Sequence, residues 1–591
     1  MTEEEIRAKA RRYVELEQDE LFREQVRTLL DAGDQDELLD RFYTDLEFGT
    51  GGLRGVIGGG FNRMNPFVVQ RASQGLAQYA ARHGEKAPDG SLRAVIAHDS
   101  RRYSETFALE SALVLAANGI QTYLFSGPRP TPQLSFTVRQ LNATIGIVIT
   151  ASHNPPEYNG YKVYWSGGAQ IIAPHDKGII DEVGTVGDRV RRISRQEALE
   201  HKLLVYLDET ADDDYVAMIE RKPVRRELLK THGSDVRVVY TPLHGTGARF
   251  VERVLRDVGV EVITVPEQRE PDGDFPTVEF PNPEEASALR MALDLGRRER
   301  ADLVMATDPD ADRLGIAVPD GEDFRLITGN QLGVLLVDYL FSSLKQTGRL
   351  PRRPAFVKTI VTTELQRLVA EHYGAEVFDT LTGFKHIAEL IRRFETEPDQ
   401  PTFVMGDEES YGYLIGAEVR DKDAISAALL TTEMALYHVQ QGKSVVQRLQ
   451  EIYQQFGYYE EVTISRSFPG QAGAATMQAL MQQLRDAPPR MVGEIEVLRI
   501  RDVQQSTVFD LQSGTKRAMT DLPRSNVLQF FLTDGTIVSA RPSGTEPKIK
   551  FYASASAPVQ ETLEDARQAV KQKLARIEQS INNMIESVGN G

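Results

Sequence analysis

The chain has 591 residues, with 68 Lys and Arg against 86 Asp and Glu, a formal net charge of −18 and a pI near 5.2. That acidic balance argues against non-specific nucleic-acid binding and against polybasic attachment to a membrane. The absence of cysteine excludes disulfides, thiolate metal sites and a cysteine nucleophile.

Hydrophobic content of 41% and charged content of 26% fit an ordinary soluble globular protein, and the length suggests about four domains. The start, Met1-Thr2-Glu3-Glu4-Glu5, is acidic and lacks the apolar region of a secretory signal. No apolar run approaches the roughly 20 residues that span a bilayer. The expectation is a cytoplasmic enzyme with neither nucleic-acid nor membrane partners.

Residues 1–45 read as a helical extension. From 2 to about 42 the chain is rich in Glu, Arg, Leu and Gln with apolar residues at helical spacing, which predicts one or two amphipathic helices. The segment Phe48-Gly49-Thr50-Gly51-Gly52-Leu53-Arg54-Gly55 is glycine-rich enough to bring backbone N–H groups to an anion. Its spacing fits neither the dinucleotide fingerprint nor the P-loop, so a tight turn is the plainer reading.

Three similar α/β units follow, at 46–215, 216–328 and 329–455. In the first, 92–97 reads as a strand, 104–117 as a helix closed by Asn118-Gly119, 121–125 as a strand and 132–141 as a helix. The apolar run 145–149 reads as a strand buried on both faces. Strands alternating with helices indicate a doubly wound sheet. Asp212-Asp213-Asp214 reads as exposed linker surface. The second unit has strands at 236–240, 260–265 and 303–306. The third has strands at 355–360, 375–378 and 402–405, then a helix from 424 to about 441. From 456 to 591 the strands at 492–498 and 527–532 alternate more, with Asp534-Gly535 as a hairpin turn, and a helix covers about 561–584. This predicts an antiparallel sheet with helices, an α+β domain.

The chemistry-bearing residues stand at predicted strand ends. Thr150-Ala151-Ser152-His153-Asn154-Pro155-Pro156 follows the buried strand, and its prolines and the Asn159-Gly160 pair exclude a regular helix across it. A serine there can direct its hydroxyl into the crevice where open α/β sheets bind ligands. A hydroxyl is a weak nucleophile that needs a base, a metal or prior modification; His153 adjoins it and Lys162 closes the segment. The alternative is a serine capping a turn. Asp308, Asp310 and Asp312 alternate just after the strand at 303–306, so they can converge on a hard cation such as Mg²⁺. An EF-hand is excluded, because Arg313 and Pro319 stand where that loop needs glycine and glutamate. An acidic surface turn is the alternative. Glu408, Glu409 and Ser410 offer acceptors to sugar hydroxyls, or form an exposed acidic turn. Arg541-Pro542-Ser543-Gly544-Thr545 combines an arginine fork, hydroxyls and open backbone suited to a phosphate dianion, or forms a basic surface turn.

The words themselves resemble a known family. TASHNPPEYNGYK at 150–162 closely resembles the active-site segment of the α-D-phosphohexomutases, the phosphoglucomutases and phosphomannomutases. DPDADR at 308–313 matches that family's metal loop, the Glu-Glu-Ser segment its sugar loop, and 541–545 its phosphate loop, all in family order. The resemblance implies four domains around a central cleft: three doubly wound α/β units with mixed or parallel sheets and a C-terminal α+β domain. It implies an intramolecular phosphotransferase, an isomerase interconverting α-D-glucose 1-phosphate and glucose 6-phosphate through phospho-Ser152 and a bound hexose 1,6-bisphosphate. Mg²⁺ would be held by Asp308, Asp310 and Asp312 against the phosphate on Ser152, with Arg313 supporting and Arg54 brought to the serine beside His153. Glu408 and Ser410 would hold sugar hydroxyls, Lys385 would reach the substrate, and Arg541, Ser543, Gly544 and Thr545 would hold the phosphate that is not reacting. Lys162 is the expected proton carrier, its pKa depressed by burial beside Arg54, unless it forms a structural ion pair. Asp407 departs from the glycine that many members carry before the two glutamates. The sugar therefore stays open, with phosphomannomutase, phosphopentomutase or glucose 1,6-bisphosphate synthase as alternatives. A non-catalytic phosphosugar sensor is the alternative from another class. Small-molecule phosphosugars are the expected partners of a monomer or weak dimer.

Overall fold

In the computed structural model the described residues are 1–49, 51–468, 470–543 and 548–589. They form two compact units. The first comprises Met1–Gly329, Ala388–Gly406 and Ser410–Gln441, and the second Asn330–Ile387, Asp407–Glu409 and Gly442–Gly591.

The first unit opens with three helices, Glu3–Leu16, Glu20–Ala32 and Gln35–Phe42, where one or two were expected. The extra break comes from capping. Asp19 and Asp34 each accept backbone N–H groups at a helix start, and Gly33 ends the second helix with φ 70°. Tyr13, Phe42, Phe61 and Phe67 pack edge-on and tilted in a small core of their own.

The first sheet contains β1 (Gly52–Val56), β2 (Arg93–His98), β3 (Gln121–Phe125), β4 (Ile145–Ile149), β5 (Tyr158–Trp165) and β6 (Leu204–Leu207). Their order is β1-β5-β4-β2-β3-β6. β4, β2, β3 and β6 run parallel, while β5 and β1 add an antiparallel edge. All five residues of β4 are buried, as its unbroken apolar run requires. Gly160 lies inside β5 for a steric reason: a Cβ there would stand 2.5 Å from the Thr150 carbonyl oxygen. The second sheet contains β7 (Arg237–Thr241), β8 (Glu261–Thr264), β9 (Leu303–Thr307), β10 (Leu314–Asp320) and β11 (Asp323–Ile327), ordered β11-β10-β9-β7-β8. β9, β7 and β8 are parallel, and β10 and β11 antiparallel. Ser152 follows β4 and Asp308 follows β9, each at a carboxyl end, where α/β sheets carry their ligands.

One expectation fails here. Residues 212–214 belong to the helix Glu209–Ile219, and Asp212 is 1% exposed. Its Oδ1 and Oδ2 accept hydrogen bonds from Arg129 Nε and Nη2 at 2.7 and 2.9 Å. A run of acids resembles a linker only until one of them finds a buried cation.

In the second unit β12 (Pro354–Thr359) and β13 (Glu376–Thr380) pair in parallel. Its C-terminal sheet is antiparallel throughout, in the order Tyr458–Ser467, Lys548–Ala557, Ile537–Pro542, Leu528–Leu532, Ile495–Asp502, Thr507–Asp510 and Thr515–Ala518. Asp534-Gly535 makes the expected turn, with Gly535 at φ 88° and Leu532 N–H donating to Thr536 O at 2.9 Å. The helix Leu563–Gly589 packs on the strands Tyr458–Ser467 and Lys548–Ala557. Mixed α/β sheets followed by a sheet-rich C-terminal part are the fold class the sequence implied. Among the described residues, no helix is long and apolar enough to cross a membrane.

Candidate active site

The loops after β4 and β9 meet in the first unit. Ser152 is 4% exposed, and its Oγ donates to Asp308 Oδ2 at 2.7 Å and lies 3.2 Å from His153 Nδ1. Burial and the charges of Arg313 and Arg54 hold His153 well below its ordinary pKa, so the imidazole is neutral. Arg54 sits on β1 opposite Gly160.

Asp308, Asp310 and Asp312 are buried, and each offers a carboxylate oxygen within 4.8 Å of the others. Burial, then the neighbouring Asp310 and Asp312, raise the Asp308 carboxyl well above the usual carboxylate range. Burial would raise Asp310 too, but Lys162 and a hydroxyl donor, Thr131 Oγ1 at 2.7 Å, hold it low. Asp310 Oδ1 and Asp312 Oδ1 are buried without a hydrogen-bond partner. Oxygen-only donors with orphaned, buried lone pairs fit a hard divalent cation of the Mg²⁺ type. Arg313 N–H donates to Asp308 Oδ1 at 3.1 Å, and its guanidinium pairs with Glu284.

Lys162 departs from expectation. Its Nζ is 2.8 Å from Asp310 Oδ2 and 3.5 Å from Asp312 Oδ2. Burial alone would lower its pKa, but those two carboxylates hold it above the ordinary value. The expected depression rested on burial and Arg54, and the spacing gave no hint that two carboxylates would be nearer.

Four residues escaped the sequence reading. Lys422 Nζ lies 3.0 Å from both Asp312 Oδ2 and Asp421 Oδ1. Tyr164 OH donates to Asp421 Oδ2 at 2.6 Å. Thr131 also donates its backbone N–H to Asp310 O at 2.9 Å. The available signal was the alternating charge of Arg420-Asp421-Lys422-Asp423 ahead of a helix, Ala424–Gln440, that is buried over most of its length.

The second unit holds Glu408, Lys385, Arg541 and Ser543. Glu408 is 7% exposed and accepts the Gly383 N–H at 2.6 Å, two residues before Lys385 in the helix Phe384–Thr396. Glu409 accepts hydroxyl hydrogen bonds from Thr359 and Thr362 at 3.1 and 3.4 Å. Burial and the charge of Glu408 push its pKa up to about 7. Asp407 points the other way, accepting from Gln366 Nε2 at 2.7 Å, and burial raises its carboxyl well above the usual range. Arg541 is the penultimate residue of the strand Ile537–Pro542 and donates to Tyr552 OH at 3.5 Å, and Ser543 N–H donates to Lys548 O at 2.7 Å. Gly544 and Thr545 lie outside the described residues. A cavity of about 30 Å³, lined by Glu409, Glu461, Ser539 and Tyr552 among others, is far below the several hundred Å³ of a ligand pocket. Ser410 belongs to the first unit.

Known proteins match along this chain. The phosphoglucomutase/phosphomannomutase α/β/α domains I, II and III match residues 45–189, 213–321 and 328–456. A phosphoglucomutase of Staphylococcus aureus (strain MRSA252) is 36% identical over 531 residues, covering 88% of this chain and 92% of its own. Two crystal structures share the fold. Paramecium parafusin, a phosphoglucomutase in its open form, has a TM-score of 0.69 at 18% identity, covering 92% of this chain and 96% of its own. A phosphoglucomutase/phosphomannomutase family protein of Burkholderia thailandensis has a TM-score of 0.64 at 18% identity, covering 93% and 98%. With three consecutive domain matches and a relative of this identity and coverage, the chain belongs to the α-D-phosphohexomutase family of phosphoglucomutases and phosphomannomutases.

Proposed function

We propose that the chain is a cytoplasmic phosphoglucomutase that interconverts α-D-glucose 1-phosphate and glucose 6-phosphate, with phospho-Ser152 as the phosphoryl carrier. One observation carries the reading: the Ser152 hydroxyl, at the carboxyl end of β4, points at Asp308 within a buried triad whose Asp310 and Asp312 have orphaned oxygens. The curated relative's name, phosphoglucomutase, supports glucose as the sugar.

In the first half-reaction the bond between phosphorus and Ser152 Oγ breaks and a bond to the free sugar hydroxyl forms, giving a bound hexose 1,6-bisphosphate. In the second, the other phosphoryl returns to Ser152. Mg²⁺ held by Asp308, Asp310 and Asp312 would supply positive charge against the phosphoryl oxygens during transfer. Lys162 is the proton carrier in this reading. Because Asp310 and Asp312 favour its ammonium form, Nζ enters as the acid that protonates Ser152 Oγ as that oxygen leaves, and the amine so formed takes the proton that the attacking sugar hydroxyl gives up. Neutral His153, at 3.2 Å from Ser152 Oγ, adds no charge to a site that must accept a dianion. Arg54 lends positive charge beside it. Glu408, Ser410 and Lys385 are assigned to the sugar, and Arg541, Ser543, Gly544 and Thr545 to the resting phosphate, on the resemblance of their loops. The same reading places module boundaries near 45, 215, 328 and 455.

The test is turnover on glucose, mannose and pentose 1-phosphates beside a mass measurement of the Ser152 peptide. The reading expects glucose phosphate to be fastest, an added phosphate on Ser152, and no turnover in folded Ser152→Ala. A protein that binds these sugars, turns over none and carries no phosphate is a sensor, and the proposal falls.

A further inference from the structure

Ser152 holds its place against its own backbone preference. It has φ 54°, in the left-handed region that costs any residue with a side chain. Such a conformation persists only where its surroundings over-determine it, and the surroundings here converge on one side chain.

Arg101 has no solvent-accessible side-chain surface. Its Nη2 donates to the carbonyl oxygens of Ser152, at 2.5 Å, and of Asn154. Its Nη1 donates to those of Pro155 and Tyr158 at 2.7 and 3.0 Å. One guanidinium thus gathers three carbonyls from the loop between β4 and β5 and one from the first residue of β5. The charge is balanced by Asp99, whose Oδ2 lies 3.3 Å from Arg101 Nε. Asp99 is fixed in turn by Arg101 N–H at 2.9 Å and Ser104 Oγ at 2.8 Å. The Phe275 ring covers the guanidinium with its centroid 5.0 Å away. On the other side of the serine, its own N–H donates to Thr150 Oγ1 at 2.8 Å.

We propose that Arg101 is a positioning residue for phosphoryl transfer: with Thr150, it locks Ser152 in the left-handed conformation that aims Oγ at the aspartate triad. Several physical points favour this over general packing. A planar fork with five fixed donors suits four converging acceptors, whereas an ammonium has three donors and no fixed plane. The cost of burying a cation and a carboxylate together is met at the residue whose geometry decides where the phosphoryl group sits. The hydrogen bonds of Arg101 go to the backbone around Ser152 and its ion pair to Asp99, so its loss should disturb the chemical step and spare substrate binding.

The inference rests on Ser152 as phosphoryl carrier, and the experiment separates the two. Arg101→Lys keeps the charge and loses the fork. With α-D-glucose 1-phosphate as substrate, kcat should fall about a hundredfold, the usual cost of a 1 Å misplacement, while KM stays within about twofold. The fraction of Ser152 that carries phosphate after incubation with glucose 1,6-bisphosphate should fall with it. Thr150→Val, which removes one hydroxyl acceptor without changing shape, should lower kcat in the same direction with KM unchanged. If Arg101→Lys fails to fold, Thr150→Val decides alone. A folded variant with kcat within about threefold of wild type, or a loss confined to KM, overturns the positioning role. Turnover in Ser152→Ala would instead remove the carrier reading itself.

Discussion

Asp212→Ala measures how far the scaffold of the site extends. The carboxylate is gripped by Arg129 through two nitrogens at 2.7 and 2.9 Å, by Gln133 Nε2 at 2.7 Å and by Arg249 Nε at 2.9 Å. The Arg129 side chain is only 5% exposed, so alanine would leave a guanidinium buried without its counter-charge. Breaking a buried pair from one side costs about 3–5 kcal/mol. Had Asp212 been part of a solvated linker, its pairs would be worth roughly 0–1 kcal/mol, so the measurement decides between the two placements. The damage should reach the chemistry, because Thr131, two residues after Arg129, binds Asp310 through both its backbone and its hydroxyl. Equilibrium unfolding in urea is the assay. The chain's one tryptophan, Trp165, is buried at the end of β5 in the sheet concerned and reports the transition. The midpoint should fall with little change in slope, and Asp212→Asn, which keeps the shape and loses the charge, should lie between alanine and wild type. A loss under about 1 kcal/mol for alanine would refute the buried-pair argument.

Chelation should stop turnover and added Mg²⁺ restore it, and Asp310→Asn should cut kcat by about 10²–10³ with a much smaller rise in KM; a thoroughly chelated enzyme that keeps its rate would make the triad structural. Burial pushes the Glu461 carboxyl up to about 7, with Ser554 Oγ donating to it at 3.1 Å. The native form binds this proton more tightly than the unfolded chain does, so stability falls with rising pH across the window in which only the native form holds it. The stability it contributes is full below the unfolded value near 4.5 and is lost as pH rises through about 7. Glu461→Gln should therefore show a flatter stability profile between about pH 5 and pH 8 than wild type, and an unchanged slope would count against the protonated native acid. Arg541→Ala should raise KM for both the 1-phosphate and the 6-phosphate by about 2–5 kcal/mol in binding and let free bisphosphate accumulate during turnover; an unchanged KM without leakage would put Arg541 outside the phosphate site.

Local pattern carried much of this molecule. The run Ile145-Gly146-Ile147-Val148-Ile149 reads as a strand buried on both faces because no residue in it tolerates solvent on either side, and β4 is that strand. Three aspartates at alternate positions after an apolar strand were read as converging, and they do. What stayed hidden is partner choice over long separations in the chain. Asp212 looked solvated because nothing in its neighbourhood announces Arg129 or Arg249. Lys422 drew no reading from the sequence, although it ends on Asp312. Arg101 stands in His98-Asp99-Ser100-Arg101, an unremarkable strand end, and only the fold turns four carbonyls toward it. The pKa of Lys162 was misread for the same reason: burial was legible, the two nearer carboxylates were not.

The balance of charge joins these parts. Asp308, Asp310, Asp312 and Asp421 face two ammonium groups, Lys162 and Lys422. Four carboxylates against two cations leave two negative charges in a buried space, where each unpaired charge costs several kcal/mol. The protein relieves part of this by favouring the protonated acid at Asp308, whose carboxyl is the one raised well above the usual range. A divalent cation that displaces the Asp308 proton would match the two negative charges in sign and magnitude, and the orphaned oxygens of Asp310 and Asp312 are where its ligands would come from. A phosphate dianion on Ser152, whose Oγ already contacts Asp308, would meet repulsion from those carboxylates unless a cation stood with it. Each therefore favours the other's binding by the same factor, as linkage requires. A lysine kept in its ammonium form completes the arrangement, because a neutral amine at Lys162 would return the excess negative charge that the cation had removed.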